Sequence, residues 1–367
     1  MQWKQVLSTI KPYKPGRSTE EVKQAYHLTN VVKLASNENP YGCASTVAEF
    51  LSSASMPFEI YPDGHGTTLR AKLAEKHCVE EASILFGNGS DEIISIISRA
   101  LLDEKVHTIM PTPSFPQYAH NAKIEGADIT EISLKDEHHD LNDFIEAINE
   151  RTAIIWVCNP NNPTGSLIPK SELESFLERV PEDILVVLDE AYFEYVTDPD
   201  HVDSVALLDR FPNILVLRTF SKAYGLASFR MGYAVGSPEI ITELNKVRNP
   251  FNNNTLAVAV ATKALEDDAF IDMCRELNEK QRKRYRSFAS ERGIHMYDSE
   301  TNFVLMEVPG DADEATEYLL RHGYIVRSGN ALGTPGYIRI TIGTDEQNSG
   351  LLHAFTLLLQ EKVESNE

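Results

Sequence analysis

Three short apolar runs constrain this chain more than any other feature. They are Ala153-Ile154-Ile155-Trp156-Val157-Cys158, Ile184-Leu185-Val186-Val187-Leu188 and Ile214-Leu215-Val216-Leu217, and each stops abruptly at polar residues. A strand that is apolar on both sides belongs in a sheet covered on both faces. Helical patterns between the runs, such as 170–179, supply the cover. The expected architecture is therefore α/β, with a mostly parallel sheet. In such sheets a ligand sits beyond the carboxyl ends of the strands. Asn162 follows the first run, Asp189 and Tyr192 the second, and Lys222 the third. Their shared placement at neighbouring strand ends says more than any one of them alone.

The third strand end is the richest. Thr219-Phe220-Ser221-Lys222-Ala223-Tyr224-Gly225-Leu226-Ala227-Ser228-Phe229-Arg230 carries two hydroxyls, a lysine, a small-residue turn and an arginine. Thr219 and Ser221 can donate to an anion, and Arg230 can grip a phosphate through two parallel bonds. An amine beside an arginine and shielded from water loses proton affinity and becomes a nucleophile. The ordinary alternative for Lys222 is a surface lysine after a strand.

Other stretches supply partners. Ile84-Leu85-Phe86-Gly87-Asn88-Gly89-Ser90-Asp91-Glu92 leads into Ile93, Ile94, Ile96 and Ile97 at helical spacing. The pattern predicts a helix behind a glycine turn, capped by Ser90 or Asp91, whose first N–H groups suit a phosphate. The glycines make no dinucleotide fingerprint, because Glu92 stands where a third glycine belongs. Phe115, on a proline-stiffened loop after the strand candidate at 107–110, can stack on a flat ring or simply fill the core. Asn37 either touches a ligand or orders a turn. Tyr61-Pro62-Asp63-Gly64 and the segment around Tyr13 read as turns.

Several classes fall away. The run 185–190 looks like the magnesium-holding strand of a P-loop ATPase, but the chain has no Gly-Lys dipeptide and hence no phosphate loop. His138 and His139 adjoin acids, yet adjacent residues in a polar linker rarely converge on one metal ion. A net charge of −21 argues against nucleic acid as a partner. No apolar run approaches a membrane span, and 1–10 has no signal-peptide core. The four cysteines are scattered, which suits the cytoplasm. Beyond Asn254 the pattern predicts one long helix to about Arg292, with 280–284 as a solvated face. Strands at 302–308, 324–327 and 337–342 and helices at 312–321 and 351–363 follow, as a smaller α+β unit.

An amine, a carboxylate, phenol and amide donors, an anion cradle and a stacking aromatic are what pyridoxal 5'-phosphate requires. With Leu34-Ala35-Ser36-Asn37-Glu38-Asn39-Pro40, Asn159-Pro160-Asn161-Asn162-Pro163-Thr164-Gly165, Asp189-Glu190-Ala191-Tyr192 and Arg339-Ile340-Thr341-Ile342-Gly343, the sequence resembles the fold-type I, class I/II-like aminotransferases. Among them it is most similar to the histidinol-phosphate aminotransferases. The resemblance covers essentially the whole chain. It implies a large cofactor domain at 45–260 with a mostly parallel seven-stranded sheet, and an arm and small domain at 1–44 and 261–367.

It further implies that Lys222 is the Schiff-base lysine and proton shuttle, and that Asp189 pairs with the pyridinium. Tyr192 and Asn162 would contact the ring hydroxyl, and Phe115 would stack on the ring. Gly89, Ser90, Asp91, Thr219, Ser221 and Arg230 would cradle the phosphate, joined by Tyr61 from the neighbouring subunit of a homodimer. Tyr13, Asn37, Arg327 and Arg339 would bind substrate. The implied substrates are L-glutamate with 2-oxoglutarate and histidinol phosphate with its keto counterpart, imidazole-acetol phosphate. An aromatic-amino-acid aminotransferase is the alternative, and a decarboxylase on the same fold a second.

Overall fold

The computed structural model of the chain describes residues 1–10, 12, 16–57, 59–135 and 137–364. Tyr13 lies outside them. Seven strands build the central sheet: β1 (Ile84–Gly87), β2 (His107–Thr112), β3 (Asp128–Ser133), β4 (Thr152–Cys158), β5 (Leu185–Asp189), β6 (Ile214–Thr219) and β7 (Gly232–Gly236). Their order is β1-β7-β6-β5-β4-β2-β3, and β7 alone runs against the rest.

The three apolar runs sit side by side as β4, β5 and β6, and their residues alternate between two cores as strand geometry demands. Ile155, Val157, Val186, Leu188, Ile214 and Val216 pack on one face. Ile154, Trp156, Cys158, Leu185, Val187, Leu215 and Leu217 pack on the other. Each such aliphatic side chain contributes about 1.5–3 kcal/mol when fully buried. The alternation also aims Asp189, at the end of β5, towards the second face. There α1 (Ser90–Leu101) and α2 (Gln117–Glu125) cover the sheet.

The helical pattern beyond Asn254 resolves into two helices, α3 (Thr255–Ala264) and α4 (Asp268–Glu291). The break is chemical: the Asp267 side chain accepts from the Phe270 N–H and starts a new helix. The 280–284 run is a solvated face only in part: Lys280 and Lys283 are exposed and Arg284 is half-buried. Gln281 and Arg282 are buried, and Arg282 binds Thr197, Glu279 and Glu300. Glu279 is an i,i+3 neighbour, but Thr197 and Glu300 come from other segments, so the local charge pattern could not show that the guanidinium is buried.

A second sheet is antiparallel, with β8 (Phe303–Glu307), β9 (Arg327–Ser328) and β10 (Tyr337–Thr341) in the order β9-β10-β8. With α5 (Ala312–Arg321) and α6 (Asp345–Glu364) it surrounds its own core, which includes Val304, Met306, Leu319, Ile338, Ile340 and Phe355. The single strand expected at 324–327 is interrupted at Val326. Tyr324–Ile325 pairs in parallel with Val32–Lys33, while Arg327–Ser328 turns to β10. Helix α4 belongs to both cores: Ile271 and Cys274 pack on the large one, Tyr285 and Phe288 on the small one. Among the described residues, no helix is long and apolar enough to cross a membrane.

Candidate active site

The carboxyl ends of β4, β5 and β6 open into a cavity of about 490 Å³ that the small sheet walls on its other side. Asn37, Ser90, Asp91, Phe115, Asn162, Asp189, Tyr192, Thr219, Ser221, Lys222, Arg230, Arg327 and Arg339 all line it. So most of the residues singled out from the sequence converge. A larger groove of about 670 Å³, between 138–142 and 167–179, holds His138 and His139 but none of these cavity residues. Tyr61 stands elsewhere. It is exposed and stacks on Phe251 at 4.8 Å.

Lys222 follows β6, and its Nζ donates to the Ser36 carbonyl at 3.1 Å. Burial lowers the pKa of the amine to about 8, with the Arg339 and Arg230 guanidinium groups adding to the effect. The expected loss of proton affinity is thus present, though burial contributes more to it than the arginines do.

Asp189 is buried at the end of β5. Its Oδ2 accepts from the Tyr118 hydroxyl at 2.6 Å and its Oδ1 from the Ala191 N–H at 3.2 Å. Burial pushes the carboxyl up to about 6, against these two donors, which hold it down. It is therefore mostly ionised at neutral pH, as a partner for a cationic ring nitrogen must be. Tyr118 was not foreseen. Its one sequence signal is the spacing Phe115-x-x-Tyr118, which puts both rings on one side of a starting helix.

The phosphate-sized end of the cavity lies at α1. The cap position is Gly89 (φ 77°), not Ser90 or Asp91, and no side chain caps the helix. A Cβ on Gly89 would come 2.5 Å from Arg230 Nη2, so only glycine lets the guanidinium close over the helix start. Arg230 donates to Ser221 Oγ at 3.2 Å and pairs with Asp91 at 3.3 Å. The Thr219 hydroxyl accepts from the Ser221 N–H at 3.1 Å. Helix N–H groups, a serine hydroxyl and a guanidinium around one glycine are the donor set of a phosphate site.

The opposite wall carries the substrate-sized features. Asn37 donates from Nδ2 to the Tyr192 hydroxyl at 2.9 Å, and burial raises that phenol well above its usual range. Arg339 donates to Asn162 Oδ1 at 2.6 Å and to the Ala35 carbonyl at 2.9 Å. Arg327 on β9 is the register partner of Arg339 on β10. Like charges directly opposite each other across a strand pair repel, so this pairing suits an anion held between them.

One cavity therefore joins an amine of reduced proton affinity, a buried carboxylate, a phosphate cradle and paired arginines. That donor set fits a phosphorylated pyridine aldehyde and an anionic substrate.

Comparison with known proteins agrees. A family model described as aminotransferase class I and II matches residues 29–355. A histidinol-phosphate aminotransferase of Lysinibacillus sphaericus is 52% identical over 362 residues, covering 99% of each chain. The protein of that name from Bacillus subtilis is 51% identical, covering 96% of this chain and 98% of its own. The crystal structure of histidinol-phosphate aminotransferase from Sinorhizobium meliloti in complex with pyridoxal-5'-phosphate superposes with a TM-score of 0.88 at 26% identity, covering 98% of both chains. With near-complete matches to family and relatives alike, the chain belongs to the class I and II aminotransferases, and among them to the histidinol-phosphate aminotransferases.

Proposed function

We propose that this enzyme moves an amino group between L-glutamate and imidazole-acetol phosphate, giving 2-oxoglutarate and L-histidinol phosphate, and that it uses pyridoxal 5'-phosphate to do so. The observation that carries the reading is the placement of Lys222, Asp189 and the Gly89–Arg230 cradle on one cavity. When bound, the cofactor supplies a carbonyl carbon that takes up the amino group and a protonated ring that spreads negative charge.

The protein's own groups do the rest. The α1 start, Ser221 and Arg230 hold the phosphate. Asp189 keeps the ring nitrogen protonated, while Tyr192 and Asn162 face the ring hydroxyl and Phe115 the ring. Lys222 Nζ, with a pKa near 8, takes a proton from the substrate carbon and returns it one position away. Arg339 holds the carboxylate of glutamate, and Arg327 the phosphate of the other substrate, with Asn37 on the same cavity.

A homodimer with shared sites is part of the proposal. Ile60, Tyr61 and Phe251 form an exposed apolar group that supports it, with Tyr61 reaching the partner's phosphate. The four cysteines are unpaired, which suits the cytoplasm.

A coupled assay with histidinol phosphate and 2-oxoglutarate, run beside an aromatic amino donor, tests the reading. The expected result is a kcat/KM at least roughly tenfold higher for histidinol phosphate, the worth of one charge-assisted bond to its phosphate. A preference for the aromatic donor would reassign the substrate. Gas release with no amino acceptor would reassign the reaction.

A further inference from the structure

Beyond the residues that face the cavity, one buried contact has no role in the reaction as derived so far. We propose that Tyr118 is a positioning residue for amino transfer: its hydroxyl, fixed by a stack on Trp156, orients the Asp189 carboxylate towards the cofactor's ring nitrogen. This rests on the reading of Asp189 given above.

The geometry is closed on every side of Tyr118. Its ring lies on Trp156 at 4.9 Å and 16°, and the edge of Phe115 meets it at 5.7 Å. Trp156 is itself tethered, donating from Nε1 to Thr108 Oγ1 at 3.0 Å, and Thr108 donates to the Ile154 carbonyl at 3.0 Å. Tyr118, Trp156 and Thr108 are buried. The hydroxyl therefore has a fixed position, 2.6 Å from Asp189 Oδ2, in the range of a bond to an ionised acceptor. The Ala191 N–H holds the other oxygen. Two donors on two oxygens stop the carboxylate from rotating and leave its remaining lone pairs for the cavity.

The choice of a phenol has a consequence. A lysine or arginine here would also hold the carboxylate, but its positive charge would compete with the pyridinium. Tyr118 stabilises the anion without neutralising it. Burial and the neighbouring Asp189 keep the phenol protonated far beyond any working pH, so it remains a donor. The ionisable groups that bear on Asp189 are Tyr118 on α2, Cys158 on β4, Asp91 on α1, and Glu190 and Tyr192 after β5.

The test is Tyr118→Phe, which keeps the ring stack and removes the hydroxyl, measured on the cofactor-loaded enzyme beside Asp189→Asn. For Tyr118→Phe, kcat should fall roughly ten- to a hundredfold, the scale of one hydrogen bond to a charged group. KM for both substrates should change less than about threefold, because neither touches the hydroxyl. The pH titration of the bound cofactor's visible absorbance should also move, which a purely structural role would not cause. Added to Asp189→Asn, the substitution should have no further effect on kcat.

If Asp189→Asn itself keeps full turnover, the role of Asp189 fails. If Asp189→Asn is crippled while Tyr118→Phe keeps both kcat and titration, the role of Tyr118 alone is overturned. Should Tyr118→Phe melt early, Trp156→Phe retains the hydroxyl and loosens the stack. It should lower kcat by up to roughly tenfold, the lower end of the same range, and an unchanged kcat and titration there would equally end the proposal.

Discussion

The two sheets that flank the cavity deliver side chains in different ways. The large sheet works from its strand ends. Asp189 closes β5, and Lys222 stands three residues past β6. Parallel strands buried on both faces hold these ends rigidly. The small sheet works from strand faces: Arg327 and Arg339 sit within β9 and β10, in register with each other. A face residue can change without moving a backbone, whereas a strand-end residue is set by the whole layer beneath it. Under the proposed reading, the contrast would give chemistry shared by every substrate to the large sheet, and selection among substrates to the small one.

Removing the amine is the harshest way to break this contrast. Lys222→Ala should lose turnover with every substrate alike, by roughly 10⁴-fold, the upper end of what a positioned acid–base group contributes. Borohydride should fix cofactor to the parent chain and not to the variant, as read by mass spectrometry. Fixation in the variant would put the reactive amine elsewhere.

Arg327→Ala sharpens the other half. It should raise KM roughly ten- to thirtyfold for the phosphate-bearing substrate, consistent with one charge-assisted contact. KM for glutamate should change less than about threefold. An equal rise for both substrates would mean that the small sheet does not discriminate between them.

The two sheets also differed in how far the sequence disclosed them. The strands β4, β5 and β6 were legible because continuous apolar runs have few other uses, and the polar groups at their ends were legible with them. The arginines of the small sheet could be placed on strands but not opposite each other, since register is not a local property. Tyr118 escaped because α2 is short and has only Tyr118 and Ala122 buried, so its spacing from Phe115 is a weak mark by itself. The cap at Gly89 was missed because Ser90 and Asp91 are the usual capping types. What decided there was the space that Arg230 occupies. The burial of Arg282 likewise depends on Thr197 and Glu300, which the local pattern does not contain, whereas the break before α4 rests on a local cap at Asp267 that the continuous helical spacing masked.

The smallest expected effect concerns stability, and it tests whether the large sheet's rim is held under electrostatic strain. The carboxyl of Asp189 rises from 3.8 to about 6 on folding, chiefly through burial. Between those pH values the folded chain binds more protons than the unfolded one, so stability falls as pH rises through the window, and the loss persists above it. The magnitude is at most about 3 kcal/mol. Asp189→Asn removes the buried charge while keeping the shape. Without cofactor, the variant should melt a few degrees higher than the parent at pH 7.5, and no higher at pH 4, where the parent's carboxyl is already protonated. Yet its turnover should fall at least roughly 10²-fold, the scale of losing a preorganised charge contact. If the variant instead melts lower at pH 7.5, the bonds from Tyr118 and Ala191 outweigh desolvation, and the rim is stabilised by its charge.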